Sequence, residues 1–421
     1  MLPYLLFADQ KGQIYSHPRL RMCGAGLSEC VLPAEEELSL LPAGSNFFFF
    51  PRRYPLGYDP DRNRFQVLTE YEGEPVSAVA CFPVPGYVRL YNPAYALEKK
   101  EIMPLWAYTA CGFYGGRFYA AACRIDPRLR QTPRYYDQSK VKAGVDRFLR
   151  KYPENRLYLH LAHCALEYHC LAAKNLFLNR WEAPVPVSNT CNASCLGCIS
   201  QPSEEFCAAQ ERIKFRPSVK ELVEVMAPHL ATAREAIVSF GQGCEGDPLL
   251  EAKQAALAIK AVRKKVSRGT IHMNTNASLP EKVEDLCRSG IDSFRVSLFS
   301  AVPGSYAAYF RPRNYSFKDV CRSVKIMKKH KKFVAVNLLV FPGFTDRSSE
   351  SRKLFSFISE HKIDMVQFRN LNLDPLYLAE KIELPSGKEQ GVAVLIAEIK
   401  QRFPGLKTGY FNLPREKFLS F

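Results

Sequence analysis

From residue 185 onward, short apolar runs alternate with longer segments whose apolar positions recur with helical spacing. Strands are predicted at 185–188, 236–240, 270–273, 294–298, 334–340 and 365–368, with helices at 219–227, 250–266, 280–289, 317–330 and 349–361. Six strand–helix units in sequence predict an α/β fold, with a parallel sheet covered by helices on one face. Six units rather than eight indicate a partial (β/α)6 TIM-type barrel, with ligands at the carboxyl ends of its strands.

The pattern before residue 185 is different. Residues 1–150 predict a β-rich (α+β) domain: hairpins at 4–8 with 13–15 and at 108–113 with 118–124, a strand at 47–50 and a helix at 139–150. A second helix is predicted at 157–179, within a helical connector over residues 151–184. The barrel is assigned to 185–373. Residues 374–421 predict a helix at 388–403 and an aromatic tail that closes the barrel.

Composition and charge bear on where the protein acts and on whether it binds nucleic acid. The 421 residues include 14 cysteines and carry a net charge of +16. The N-terminus lacks the basic start and long apolar run of a secretory signal, and no apolar segment is long enough to span a membrane, so a cytoplasmic protein is expected. The two basic clusters, at 260–268 and 325–332, end predicted helices. Cations there offset the helix dipole, so the charge is a poor argument for a nucleic-acid partner.

Three closely spaced cysteines are the strongest chemical signal. Cys191, Cys195 and Cys198 follow the first predicted strand of the barrel with the spacing C-x3-C-x2-C. Three thiolates can hold an iron–sulfur cluster and leave a fourth iron open to a further ligand. Two alternatives stay open: a structural zinc site, which needs Cys207 or Cys244 as fourth ligand, and buried cysteines without a chemical role.

This loop, at this place in a partial barrel, resembles that of the radical S-adenosylmethionine (radical SAM) superfamily, and the resemblance spans about residues 185–373. It implies a [4Fe-4S] cluster on Cys191, Cys195 and Cys198, whose open iron chelates S-adenosylmethionine (SAM). Reduction then yields methionine and a 5′-deoxyadenosyl radical. One position departs from the family pattern, because the residue before the last cysteine, often aromatic and close to the adenine, is Gly197.

The resemblance also implies a SAM site along the carboxyl ends of the strands. The segment 240–250 is similar to the family's Gly-Gly-Glu-Pro element, 273–277 to its Thr-Asn-Gly, and 295–300 to its Arg-Val-Ser-Leu-Asp-Ser. The SAM-binding candidates are Gly241, Gly243, Gly246, Asp247, Asn276, Ser297, Arg311, Gln367 and Arg369. We expect Gly246 to let the backbone approach the methionine amino group. Cys244 and Glu245 are the candidates for contact with substrate.

A second group of metal-binding residue types lies on the connector. His160, His163, Cys164, Glu167 and Cys170 share one stripe of the predicted helix 157–179. Two interpretations stay open: a second metal or cluster site beside the barrel, and a half-buried helix that packs the N-terminal domain on the barrel. The second is favoured, because histidine at helical spacing usually fills an interface.

Taken together, the residues favour an enzyme that cleaves SAM reductively and abstracts hydrogen from a peptide, protein or small metabolite. Such an enzyme implies a low-potential electron donor of the flavodoxin or ferredoxin type as a partner. The alternatives are a non-catalytic zinc or iron–sulfur module and an RNA-modifying enzyme of the same superfamily.

Overall fold

The computed structural model describes residues 2–128, 130, 132, 135–204 and 206–419. Its N-terminal part is β-rich. The strands are β1 Tyr4–Ala8, β2 Ile14–Met22, β3 Gly24–Ala25, β4 Cys30–Val31, β5 Ser39–Leu40, β6 Asn46–Phe50, β7 Arg53–Asp59, β8 Arg64–Val67, β9 Glu70–Tyr71, β10 Glu74–Pro75, β11 Ser77–Phe82, β12 Tyr87–Arg89, β13 Asn92–Pro93, β14 Tyr95–Leu97, β15 Cys111–Tyr114, β16 Arg117–Ala120 and β17 Ala122–Arg124.

Ten of these strands form one antiparallel sheet, with β14, β7, β2, β1, β15, β16 and β5 in order and β6, β8 and β11 paired at its sides. The predicted first hairpin is present as β1 and β2, and its turn is made by Asp9–Gly12 with Gly12 at φ +80°. The second predicted hairpin is present as β15 and β16. Alternation along β7 buries every second side chain, which is typical of a sheet with one covered face.

Three helices connect this sheet to the barrel: α1 Gln138–Lys151, α2 Arg156–Leu166 and α3 Leu171–Phe177. The single helix predicted over 157–179 is wrong, because the chain breaks between α2 and α3. His169 has a positive φ of 51°, and Cys170 is the N-cap of α3. A residue at positive φ cannot continue a right-handed helix, so Cys170 does not lie on the stripe that carries His160 and Cys164.

The barrel part is a parallel sheet of seven strands in sequence order. The strands are β18 Arg180–Pro184, β19 Arg234–Phe240, β20 Thr270–Thr275, β21 Ser293–Leu298, β22 Phe333–Val340, β23 Met365–Asn370 and β24 Lys407–Gly409. The helices are α4 Val219–Thr232, α5 Ala252–Arg263, α6 Pro280–Ser289, α7 Pro303–Phe310, α8 Phe317–Lys329, α9 Ser348–His361, α10 Pro375–Lys381 and α11 Val392–Arg402. The predicted partial barrel of α/β class is confirmed.

The first barrel strand is β18 and not the predicted 185–188. Pairing with β19 continues only to the amide of Val185, which donates to Ser239 O at 2.8 Å. Beyond it the chain stays extended, but the amides of Val187 and Ser188 donate to the carboxylate of Glu245 instead of a neighbouring strand. The segment 151–184 is therefore not helical throughout, since its last residues belong to the barrel sheet.

The last part of the chain adds to the barrel. The predicted helix 388–403 begins later, at α11, because Gly391 at φ +90° is its N-cap. The short strand β24 pairs in parallel with β23 and extends the sheet. Phe418 of the tail stacks on Phe333, the first residue of β22, with ring centroids 4.2 Å apart. The tail thus covers the amino ends of the strands. The two basic clusters also lie there, at the C-termini of α5 and α8.

The N-terminal domain packs on the opposite, carboxyl ends of β22 and β23. Arg89 is fully buried, and its guanidinium donates to Leu371 O at 2.9 Å and to Tyr108 O at 3.1 Å. The side chain of Asn370 in turn donates to Tyr87 O at 3.0 Å. A buried guanidinium without acceptors is costly, so these contacts fix one arrangement of domain and barrel. Within the described part of the chain, none of the helices has the length and apolar character needed to cross a bilayer.

Candidate functional site

A cavity of about 300 Å³ opens at the carboxyl ends of the barrel strands. The loops after β18 and β19 form one side of it. We call residues 189–200 the cysteine loop and residues 241–248 the glycine loop. Of the predicted site residues, the cavity is lined by Cys191, Cys195, Cys198, Gly241, Gly243, Glu245, Gly246, Asp247, Asn276 and Ser297. Ten of the residues predicted from sequence therefore lie around one cavity.

The cysteine loop is held by the backbone that follows β21. The amides of Ser194 and Leu196 donate to the carbonyls of the last residues of α7, each at 3.0 Å. The amide of Arg313 donates to Asn192 O at 2.8 Å, and its guanidinium donates to Ser194 Oγ at 2.7 Å. These bonds position a loop that has no regular secondary structure of its own.

The spacing of the three thiols distinguishes between metal centres. A tetrahedral zinc ion with zinc–sulfur bonds of about 2.3 Å holds its sulfurs about 3.8 Å apart. Among the described residues, the one group of three or more such ligand atoms lying within 4.8 Å of one another is His160, Cys164 and Cys244. Cys191, Cys195 and Cys198 are not such a group, so their three sulfurs do not all lie within 4.8 Å of one another and, as placed, do not surround one tetrahedral ion. Wider spacing fits a cluster, where each thiolate binds a different iron.

The predicted fourth ligands of a zinc site lie elsewhere. Cys207 is exposed, and Cys244 is buried against α2 and does not line the cavity. Burial raises the pKa of the Cys191 thiol to about 11. Thiolates in this environment need a nearby positive charge, which iron supplies. The donor set therefore fits an iron–sulfur cluster.

The glycine loop lies directly against its neighbours. A Cβ on Gly246 would lie 1.8 Å from Thr190 O, and one on Gly241, whose φ is +75°, would lie 1.8 Å from Asn274 O. A side chain at 246 would meet the cysteine loop, so Gly246 has a packing role; that its backbone also approaches the methionine amino group stays a prediction. Only glycine permits these two backbone contacts.

Glu245 links the two loops. One carboxylate oxygen accepts from the amides of Val187 at 2.8 Å and Ser188 at 3.0 Å, and the other accepts from the amides of Gly241 and Gln242. Burial raises its pKa to about 8, and the four amide donors act in the opposite direction. Both oxygens are occupied by backbone, so the arrangement is that of a positioning residue and does not suit contact with substrate.

Asp247 has a similar role toward β20. Its carboxylate accepts from Thr275 Oγ1 at 2.8 Å and from the amide of Asn276 at 2.6 Å. The side chain of Asn276 then donates to Asn192 Oδ1 at 2.8 Å. Burial raises the pKa of Asp247, and the hydrogen bonds from Asn276, Leu249 and Thr275 lower it. This chain of bonds fixes the cysteine loop, the glycine loop and the end of β20 relative to one another.

Three predicted SAM-binding residues do not line the cavity. Arg311 is the exposed C-cap of α7. Gln367 is buried below the cavity, where it accepts from Arg295 Nη1 at 3.0 Å and donates to Asn412 Oδ1 at 2.8 Å. The guanidinium of Arg369 lies over the ring of Tyr410, 4.0 Å from its centroid. The sequence predicted that Gln367 and Arg369 share one face of their strand, but it did not predict how deep in the barrel each side chain lies.

Several lining residues were not predicted as site residues. Arg212 directs Nη2 at Cys198 Sγ, 3.8 Å away. Tyr309 fills the space beside Gly197, because a Cβ there would lie 3.0 Å from its hydroxyl. Asn337 has a buried side-chain carbonyl without a hydrogen-bond partner, which leaves it free to accept from a ligand. Arg212 and Tyr309 stand outside the recognised motifs, so no sequence signal pointed to them.

Comparison with known proteins identifies the barrel region. Residues 185–355 match the family model of the Radical SAM superfamily. None of the curated proteins compared matches this sequence.

Solved structures with a similar arrangement include Streptococcus suis SuiB bound to precursor peptide SuiA, with 14% identity, a TM-score of 0.39 and coverage of 60% of this chain and 53% of that one. A radical SAM methyltransferase from Sphaerobacter thermophilus has 13% identity, a TM-score of 0.41 and coverage of 55% and 66%. The [FeFe]-hydrogenase maturase HydG from Carboxydothermus hydrogenoformans has 14% identity, a TM-score of 0.38 and coverage of 64% and 68%. The chain spans 53% to 63% of the length of the SuiB structures.

Proposed function

We propose that this chain is an enzyme that cleaves SAM reductively and abstracts a hydrogen atom from a substrate, because residues 185–355 match the family model of the Radical SAM superfamily, a class of enzymes that uses a [4Fe-4S] cluster and SAM. When bound, the cluster supplies the electron that cleaves SAM to methionine and the 5′-deoxyadenosyl radical. The observation that carries the proposal is that three thiols, which do not surround one ion, line one cavity with the glycine loop.

In this proposal Cys191, Cys195 and Cys198 would hold three irons of the cluster and leave the fourth without a protein ligand. Arg212 places a positive charge beside Cys198 Sγ. A fixed cation beside a thiolate favours the more negative, reduced cluster, so Arg212 assists electron uptake. The electron comes from a low-potential donor of the flavodoxin or ferredoxin type.

The polar residues at the strand ends bind SAM. The glycine loop presents its backbone to the methionine end, in the position that its contacts with Thr190 and Asn274 fix. Farther along the sheet, Ser297 and Asn337 are paired in register on β21 and β22, and both line the cavity. The free carbonyl of Asn337 accepts from a hydroxyl or amino group of the nucleoside. Tyr309 takes the place beside Gly197 where an aromatic ring is expected to contact adenine.

The substrate enters between the barrel and the N-terminal domain. Asn370, Leu371 and Asn372 line the cavity, and the first two are bonded to the N-terminal strand β12 through Tyr87 and Arg89. The N-terminal domain therefore holds the part of the cavity wall that follows β23, which lies against Gly197 of the cysteine loop. We propose a peptide, protein or small metabolite as substrate. RNA is disfavoured because the basic clusters lie at the other end of the barrel.

The test is anaerobic reconstitution with iron and sulfide, followed by dithionite and SAM. The proposal predicts that SAM changes the electron paramagnetic resonance spectrum of the reduced cluster, since it binds the open iron, and that 5′-deoxyadenosine accumulates. A protein that binds only zinc, or a reduced cluster whose spectrum ignores SAM, would contradict it. The control is Cys207→Ala, which removes an exposed thiol outside the cavity.

A further inference from the structure

A second cluster of metal-binding side chains lies behind the glycine loop. His160 and Cys164 stand one turn apart on α2, and Cys244 faces them from the glycine loop. One ligand atom from each lies within 4.8 Å of the others, and Cys164 Sγ lies 3.6 Å from His160 Nε2. Both thiols are buried, with 0% and 2% of Cys164 and Cys244 exposed. Cys244 is 84 positions from His160 and 80 positions from Cys164 in sequence. The fold thus brings the three side chains together outside the cavity.

The distances suit one tetrahedral ion. Metal–sulfur and metal–nitrogen bonds of about 2.3 and 2.0 Å at the tetrahedral angle place sulfur and nitrogen about 3.5 Å apart, close to the 3.6 Å between Cys164 Sγ and His160 Nε2. Two thiolates and one imidazole are soft and borderline donors, which select zinc over magnesium or calcium. Cys170 lies next to this group, since its amide donates to Cys164 O at 2.9 Å.

We propose that His160, Cys164 and Cys244 bind a zinc ion that ties the connector to the glycine loop. The fourth position is taken by the thiol of Cys170 or by water. Binding releases two protons, one from each thiol of Cys164 and Cys244, and involves no electron transfer. The proposal stands apart from the enzymatic activity, because neither Cys164 nor His160 lines the cavity.

The consequence is structural and local. Cys244 lies between Gly243 and Glu245, which both line the cavity, and its carbonyl accepts from the amide of Ile213 at 2.8 Å. An ion bound to its thiol ties the glycine loop to α2. Glu245 already ties the same loop to the amides of Val187 and Ser188. Zinc loaded into the chain is therefore expected to raise its resistance to unfolding, since a ligand that binds only the folded state stabilises it.

The test uses the full chain, purified anaerobically and reconstituted with iron and sulfide so that the cysteine loop is occupied, and then loaded with zinc. Element analysis is expected to give one zinc per chain besides iron. Zinc-edge X-ray absorption, which ignores iron, is expected to show sulfur at about 2.3 Å and nitrogen at about 2.0 Å. This measurement is made on the wild-type chain, so it tests the zinc site even if the variants fail to fold. A shell of oxygen and nitrogen only would overturn the proposal.

Variants then assign the ligands. Cys164→Ser and His160→Gln are expected to lose the tightly held zinc, while Cys287→Ser, which removes a buried thiol of α6, keeps it. Equal zinc in Cys164→Ser and in the control would overturn the assignment. A disulfide between Cys164 and Cys244 in the anaerobically purified chain, found by mass mapping without reductant, would overturn it as well.

Discussion

Replacing Glu245 by glutamine separates its two possible roles. The carboxylate accepts four backbone amides, two on each oxygen, from Val187, Ser188, Gly241 and Gln242. In Glu245→Gln one oxygen becomes an NH2 group, which donates and cannot accept. Two buried amides then face a donor. The side chain keeps its size, so the change is almost entirely one of hydrogen bonding.

The magnitude follows from the two amides. A buried donor without an acceptor costs about 1–3 kcal/mol, so the variant is expected to lose about 2–6 kcal/mol of unfolding free energy. With a slope of about 2 kcal/mol per M, the urea midpoint falls by about 1–3 M. The loop that carries the first cluster thiolate follows Ser188 directly, so reconstituted iron is expected to fall in the same variant.

The assay is urea unfolding above pH 8. Burial raises the pKa of Glu245 to about 8, so the assay must be run above that pH for the carboxyl group to be ionised. The matched control is Glu251→Gln, three residues beyond the glycine loop, whose carboxylate pairs with the mostly exposed Arg216 at 2.7 Å. That pair is expected to contribute less than about 1 kcal/mol. If Glu245→Gln unfolds at the wild-type midpoint and keeps its iron but loses turnover, the residue acts on substrate and the structural argument fails.

Three further results are expected. Gly246→Val should lower iron content together with SAM binding, measured by iron assay and equilibrium dialysis, because its Cβ would lie 1.8 Å from Thr190 O; unchanged iron would contradict this. Arg212→Gln should make the cluster potential more negative in a redox titration, since a cation beside Cys198 is lost; a potential that stays or rises would contradict it. Burial lowers the pKa of His229 from 6.5 to about 4. Between these pH values the unfolded chain binds a proton that the folded chain does not. The free energy of unfolding therefore decreases as the pH falls below 6.5. Between pH 7 and 5 the apoprotein should lose about 2 kcal/mol more than His229→Gln in urea unfolding; equal losses would contradict the buried neutral imidazole.

The barrel was readable from sequence because its signals are local. Each strand is a short apolar run, buried on both faces, and each long helix has an apolar stripe, so periodicity found both. Helix α6, Pro280–Ser289, ends where predicted because Gly290 supplies the positive φ of 106° that stops it. The short α7, Pro303–Phe310, was missed because it has only eight residues, and its one set of buried positions, Tyr306, Tyr309 and Phe310, is too short to establish a helical period.

The rest depends on contacts between distant residues. Extended chain at 185–188 has the composition of a strand, but the amides of Val187 and Ser188 donate to Glu245, about sixty positions away. Cys244 was assigned to the cavity because its loop was, whereas the side chain points toward α2. Gln367 and Arg369 share a strand face as alternation requires. Only packing decides that the first lies below the cavity floor and the second against Tyr410.

The central claim is that the three thiols of the cysteine loop hold the cluster that cleaves SAM. The most direct test measures 5′-deoxyadenosine by mass spectrometry, under dithionite, in reconstituted Cys191→Ala, Cys195→Ala and Cys198→Ala, with far-ultraviolet circular dichroism to show that each variant is folded. The account predicts formation in the wild type and in Cys207→Ala, and none in the three single variants. Continued 5′-deoxyadenosine formation in any one of them would contradict it.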